Sequence, residues 1–274
     1  MQKPILVGAV IYDPKVSVIW DIIKDFFNTQ NCPIDCVYYS NYELMVDALI
    51  AGHIQIAWNS PLAWVDAQLR TQNKCRAIAM RDTDRDRVTH LLVRRDSGIR
   101  SVSDLRGKTI ATGAKDSPQA TLLPLHLLHQ HGLEADKDFS LRRFDVLVGK
   151  HGDHIGGELE ALKSLQKGES QAAAVLDLNW ERWQQDGTAD SSQLVVLTTT
   201  HPFDHCNFTV LGSFPAEQEQ RWAEALFKMS YDNPAHREMM DMEGLKAWLP
   251  GRTSGYQDLS AAVTEQHFFA EQTV

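Results

Sequence analysis

The chain has no apolar run near the roughly 20 residues that a membrane-spanning helix needs. Residues 5–11, ILVGAVI, have only the length of a strand, so no membrane insertion is expected. Nucleophile and nucleotide signatures are missing as well: there is no GxSxG, no GxxxxGK(S/T) loop and no GxGxxG after a strand. Basic charge is scarce. Lysine and arginine number 27 against 36 aspartates and glutamates, a net charge of −9. That excludes an extended nucleic-acid surface but leaves room for a small anion in one pocket. The four cysteines, Cys32, Cys36, Cys75 and Cys206, form no CxxC and no paired framework, so free thiols are expected; only Cys32 and Cys36, either side of Pro33, are spaced to pair in an oxidising compartment. No signal-peptide cleavage pattern follows the first apolar block. With Met1 as the native start a cytoplasmic protein is expected; with an export signal removed, a periplasmic one.

What is present is a regular alternation. Residues 4–12, 34–39, 54–58 and 75–80 read as strands, and 16–27, with Val16, Ile19, Trp20, Ile23, Phe26 and Phe27 on one face, reads as a helix. Asn41 is placed to cap the helix that Gly52 stops, and Pro61 sits in the first turn of another. Strands alternating with helices predict an α/β fold with mixed, mostly parallel sheets. The second half repeats the first: residues 43–57 lie over 158–174, with Gly52 on Gly168 and Gln55 on Gln171. Two similar lobes are expected, residues 1–90 plus 200–274 and residues 91–199, joined by two hinge crossings. Residues 237–249 and 256–269 read as closing helices. The charge run RDTDRDR, 81–87, reads as a solvated loop.

The stretch around which this order is built is 101–125, SVSDLRGKTIATGAKDSPQATLLPL. KTIAT reads as a short strand that Gly113 ends, Asp116 or Ser117 caps a new helix, and Pro118 stands in its first turn. A strand that feeds a polar loop and a helix N-terminus is suited to an anion, because the first backbone N–H groups have no partner inside the helix. An ordinary capped turn has the same local pattern.

DLRGKTIATGAKDSPQATLLPL resembles the second-lobe segment of type II periplasmic solute-binding proteins, in particular the phosphate/phosphite/phosphonate-binding, PhnD-like family of ABC transporters. NYELMVDALIAGHIQIAWNSPLAW, GELEALKSLQKGESQAAAVLD and WLPGRTSGYQDL extend the resemblance over most of the chain. It implies a two-lobed fold that closes by hinge motion on a small anionic, phosphonate- or phosphate-like solute in an interlobe cleft, and delivery to an ABC permease. It implies a solute-binding protein rather than an enzyme.

Ligands of open parallel sheets gather at the carboxyl ends of the strands. That rule selects Tyr12, Asn59, Ser60, Asp116, Ser117 and Gln119 as ligand-binding candidates, with Asp177 and Asn207 further along. The unusual loop 148–157, VGKHGDHIGG, adds Lys150, His151 and His154. Ser117, Gln119 and the helix start are assigned to the anionic group, and Asn59, Ser60 and Tyr12 to the other lobe's contacts. In phosphonate-binding relatives an acidic group at the Asp177 position can meet a ligand amine; Glu158 is read as a helix cap. No cofactor is expected. A transition metal on His151, His154 and His205 is conceivable, since imidazole suits such ions, although HxxH on a glycine loop fixes no ligand geometry. The alternative reading is a cytoplasmic enzyme on the same fold, metal-dependent or acting in cofactor biosynthesis, as in thiamin pyrimidine-precursor synthases or menaquinone-pathway dehydratases. A ligand sensor is a third.

Overall fold

A computed structural model, which describes residues 3–269, bears out the strand–helix alternation over the first 81 residues, while later strands also follow one another without an intervening α-helix. Met1, on which the compartment expectation rests, lies outside the described residues. The first stretch runs β1 (Ile5–Val10), α1 (Lys15–Thr29), β2 (Ile34–Tyr39), α2 (Tyr42–Ile50), β3 (Ile56–Asn59), α3 (Pro61–Arg70) and β4 (Cys75–Arg81). The second runs β5 (Thr89–Arg94), β6 (Thr109–Thr112), α4 (Leu123–Gln130), β7 (Ser140–Arg143), α5 (Gly156–Gln166), β8 (Ala172–Leu176), α6 (Asp177–Gln185) and β9 (Leu194–Thr199). Then come β10 (Asn207–Leu211), α7 (Ala216–Leu226), α8 (Pro234–Glu243), β11 (Trp248–Pro250) and α9 (Gln257–Glu265). Residues 1–85 and 204–255 form one unit, and 86–203 with 256–274 the other. The chain therefore passes between units three times.

The sheets correct the mostly parallel expectation. Unit 1 has the order β11-β4-β10-β3-β1-β2 and unit 2 the order β7-β6-β8-β5-β9. Parallel pairing is confined to β1 with β2 and β3, and to β6 with β7 and β8. Strand β10 runs antiparallel to both β3 and β4, β11 to β4, and β5 to both β8 and β9, so antiparallel pairs predominate. The reason is topological. A helix between two strands favours parallel pairing only within one strand–helix–strand unit. Strands β5 and β10 enter their sheets from distant parts of the chain, and side-chain periodicity carries no direction.

Each unit has its own core. In unit 1, α1 packs Ile19, Ile23 and Phe27 against Phe208, Trp222 and Trp248; Phe27 and Trp222 stack with ring centroids 5.3 Å apart. In unit 2, the period of two sends alternate residues to opposite faces. Leu92, Ala111, Ala173 and Val175 meet α5 and α6 on one side. Leu91, Val93, Ile110, Ala172 and Ala174 meet Leu128 and Phe139 on the other.

The internal repeat is structural. Gln55 Oε1 accepts the Leu6 N–H of β1 at 2.8 Å, and Gln171 Oε1 accepts the Thr109 N–H of β6 at 3.0 Å. Each glutamine also donates its backbone N–H to the carbonyl of that same residue, at 2.9 and 2.8 Å. The expected helix over 237–249 ends earlier, where Gly244 adopts the left-handed conformation that closes α8. Trp248 and Leu249, which fit its apolar periodicity, instead belong to the edge strand β11.

Candidate functional site

Strand β6 delivers the chain to a turn at Gly113, after which Ser117 rather than Asp116 is the cap: its Oγ accepts the Ala120 N–H at 3.2 Å. Pro118–Leu122 then winds as a π-helix, with the Leu122 N–H reaching the Ser117 carbonyl at 3.0 Å, before α4 continues. Such widened turns recur at functional sites. Thr112 Oγ1, Asp116 Oδ1, Gln119 Oε1 and Thr121 Oγ1 are all buried without a hydrogen-bond partner. Native proteins pair nearly all such atoms, and each one left unpaired costs about 1–3 kcal/mol. Their concentration between Thr112 and Thr121 marks this turn as a candidate polar ligand site.

The histidine-rich loop packs on the same turn. Asp116 Oδ2 accepts the backbone N–H of Gly149 at 2.6 Å and of His151 at 3.3 Å. Gln119 Nε2 donates to the Gly152 carbonyl at 3.0 Å. Gly152 has φ +78°, and a Cβ there would fall 2.2 Å from Ser117 Oγ, so only glycine lets the loop come this close. His151, itself at φ +50°, is buried, whereas His154 is half-buried and turns its Nδ1 back to accept the Gly156 N–H at 3.1 Å. Lys150 stands in the loop between Gly149 and His151.

Glu158 reaches beyond its own helix. It is buried in the first turn of α5, where its Oε1 accepts the Leu176 N–H at 2.6 Å and the Asn179 amide at 3.0 Å. It thereby fixes the junction of β8 and α6. Asp177, at that junction, pairs with Arg87 at 3.4 Å and accepts the Leu178 N–H.

In unit 1, Asn59 and Ser60 sit at the end of β3. Ser60 Oγ caps α3 through the Ala63 N–H at 3.1 Å. Asn59 Nδ2 donates to Thr209 Oγ1 at 2.9 Å, and Thr209 donates on to Asn207 Oδ1 at 2.7 Å. All three are fully buried, and Asn59 Oδ1 has no hydrogen-bond partner. The sequence picks of Asn59, Ser60 and Asn207 thus belong to one cluster, and Tyr12 packs against the core beyond the end of β1.

The charge run is not a solvated loop. Arg81 donates Nε and Nη2 to the two oxygens of Asp84, at 2.7 and 2.8 Å, and Nη1 to Glu243 at 2.8 Å. Asp84 is 1% exposed. Burial alone would raise its carboxyl, but the Arg81 charge and hydrogen bonds, with His205 beside them, outweigh that and hold it at about 2. Burial pushes Glu243 up, against the pull of Arg81. Alternating signs in a seven-residue window conceal which charges find partners elsewhere in the chain.

The three histidines singled out for metal do not form a cluster. Among the described residues one group has metal-donor spacing, Asp84, His205 and Cys206, all in unit 1; His151 and His154 belong to unit 2. His205 Nδ1 lies 3.1 Å from Cys206 Sγ and 3.6 Å from Asp84 Oδ1. Both oxygens of Asp84 already face the Arg81 guanidinium, a fixed positive charge that disfavours a cation. The donor set is therefore a weak metal site.

A model of the family described as "ABC transporter, phosphonate, periplasmic substrate-binding protein" matches residues 20–256. The chain belongs to this family. It is the substrate-binding component of an ABC transporter, it takes a small anionic solute, and it resembles a non-catalytic binding protein rather than an enzyme. A relative from Prochlorococcus marinus (strain MIT 9301), a probable ABC transporter phosphite binding protein, is 21% identical over 233 residues, 80% of this chain and 74% of that one. The structure of PhnD1 from that organism in complex with methylphosphonate superposes with a TM-score of 0.70 at 18% identity, over 97% of this chain and 98% of that one. A Xanthomonas citri protein bound to ATP gives 0.76 at 18% identity, over 97% and 99%. At these identities the superpositions show a shared fold.

Sequence reading named Thr121 as a possible side-chain donor but missed Thr112, which registers as a strand residue because a buried hydroxyl looks like any other threonine. It also missed Thr209, the bridge between the two asparagines, which is hidden in the apolar strand β10.

Proposed function

We propose that the turn from Thr112 to Thr121 binds a phosphorus oxyanion of the phosphonate or phosphate class, which the protein hands to its ABC permease. The observation that carries this reading is the set of buried, unpartnered polar atoms on Thr112, Asp116, Gln119 and Thr121. The two threonine hydroxyls are donors suited to anionic oxygens. The Ser117-capped helical start adds the positive end of a helix dipole. Lys150, His151 and His154 are assigned to the solute's charge, and Asp177 of the same unit to its remaining contacts. The family relatives named for phosphite and methylphosphonate support this class. Calorimetry with methylphosphonate and inorganic phosphate tests it. Replacing Ser117 and Gln119 together by alanine is expected to weaken binding by about 1–3 kcal/mol for each lost contact with the fold retained. Unchanged affinity would move the site elsewhere.

A further inference from the structure

The polar turn contains one carbonyl that its own helix cannot serve. In the π-helix the Leu122 N–H returns to the Ser117 carbonyl and the Leu123 N–H to the Pro118 carbonyl. The next rung would run from residue 124 to Gln119, and Pro124 has no N–H to give. The donor comes from another element. Thr89, the first residue of β5, donates its Oγ1 hydroxyl to the Gln119 carbonyl at 2.7 Å. Thr89 is itself held on both sides. Its N–H is accepted by Thr200 Oγ1 at 2.9 Å, its carbonyl accepts the Thr200 N–H at 3.0 Å, and it stands opposite Leu176 of β8.

Thr89 is 1% exposed. A hydroxyl buried in a strand, where valine has the same shape, costs free energy unless it is hydrogen-bonded, and here its one proton goes to the turn. The Thr112 and Thr121 hydroxyls have no partner within the protein, whereas the Thr89 proton is committed to Gln119. We infer that Thr89 is a positioning residue for the solute. By supplying the donor that Pro124 cannot, it fixes the Gln119 backbone, and with it the Gln119 side chain, whose Nε2 holds Gly152 and whose Oε1 has no partner. The inference rests on the solute site proposed at Thr112–Thr121. Without the Thr89 hydroxyl the Gln119 carbonyl is left buried and unsatisfied, and the turn must rotate toward another donor. The Gln119 amide, and the Thr121 hydroxyl two residues on, then leave the geometry in which they meet the solute.

Calorimetry with methylphosphonate on single variants of the whole chain tests this. Thr89→Val keeps the shape and removes the donor, and it is expected to bind about 10-fold more weakly. Thr89→Ser restores the hydroxyl and should bind within about threefold of the unaltered protein. Val93 lies in the same strand, fully buried in the apolar core. Val93→Ala should lower the melting temperature and leave the affinity unchanged, which separates lost stability from lost positioning. A folded Thr89→Val protein that binds as tightly as the unaltered one would overturn this inference alone. So would a Val93→Ala or Thr89→Ser protein that loses as much affinity as Thr89→Val. If the unaltered protein binds no methylphosphonate, or binds it without slowing amide exchange in residues 112–122, the proposed site falls and this inference with it. Should Thr89→Val fail to fold, Thr200→Val, which leaves the Thr89 N–H without its acceptor, decides: binding about threefold weaker is expected, and unchanged binding would overturn the inference.

Discussion

Arg81 grips both oxygens of Asp84 from three residues away, Nε to Oδ2 at 2.7 Å and Nη2 to Oδ1 at 2.8 Å, inside a unit core. Breaking a buried pair leaves one charge uncompensated. Arg81→Met is expected to destabilise unit 1 by about 3–5 kcal/mol, measured by denaturant unfolding followed by tryptophan fluorescence. A loss under about 1 kcal/mol would mean that the pair is solvated after all.

The same pair sets an acid limit. The Asp84 carboxyl sits at about 2 in the folded protein, below its unfolded value. A depressed carboxyl contributes stability that is present above the unfolded value and lost as pH falls through the folded one. Unit 1 should therefore lose on the order of 2 kcal/mol between about pH 4 and pH 2. Glu243 is raised, so its contribution has the opposite sign: it is full at low pH and lost as pH rises through its folded value. Thermal melts across this range should show a flattened acid limb in Asp84→Asn and a retained one in Glu243→Gln. An Asp84→Asn limb as steep as that of the unaltered protein would refute the assignment.

The approach of the histidine-rich loop depends on one glycine. Gly152→Ala places a methyl group on Ser117 Oγ and forces a side chain into positive φ. The expected result is a loss of about 1–3 kcal/mol in stability and faster amide exchange over residues 146–155, with α1 and α2 unaffected. Unaltered exchange in the loop would show that it does not rest on Ser117.

Burial keeps Cys32, Cys36 and Cys75 in the unreactive thiol form. Cys32, Cys75 and Cys206 are buried, and burial pushes the half-exposed Cys36 up to about 12, with Asp35 adding to the shift. The thiolate is the reactive form. A disulfide reagent at neutral pH should find no fast-reacting thiol in the native protein and four after denaturation. Rapid native labelling of Cys36 would contradict its surroundings.

Much of the fold is written in local pattern. Asn41, Ser60 and Ser117 cap where capping chemistry places them, and Gln55 and Gln171, matched in the sequence repeat, make matching contacts to Leu6 and Thr109. What local pattern could not carry was direction and partnership. The antiparallel entry of β5 and β10, the pairing of Arg81 with Glu243, and the docking of α9 on α4 through Glu265 and His126 all join residues far apart in the chain. The proposed site draws on the helix start for the same reason: a cap, a proline and a polar loop are neighbours in sequence. Asp116 reads as a cap from sequence. Only the Gly149 and His151 amides show that its carboxylate serves the loop instead.

The central claim is that the solute is held at the turn between β6 and α4. The most direct measurement is hydrogen–deuterium exchange with and without saturating methylphosphonate. Slowed exchange is predicted for residues 112–122 and for the loop 146–155 that hydrogen-bonds to Asp116 and Gln119. Saturable binding with protection elsewhere and none in these two segments would contradict the account.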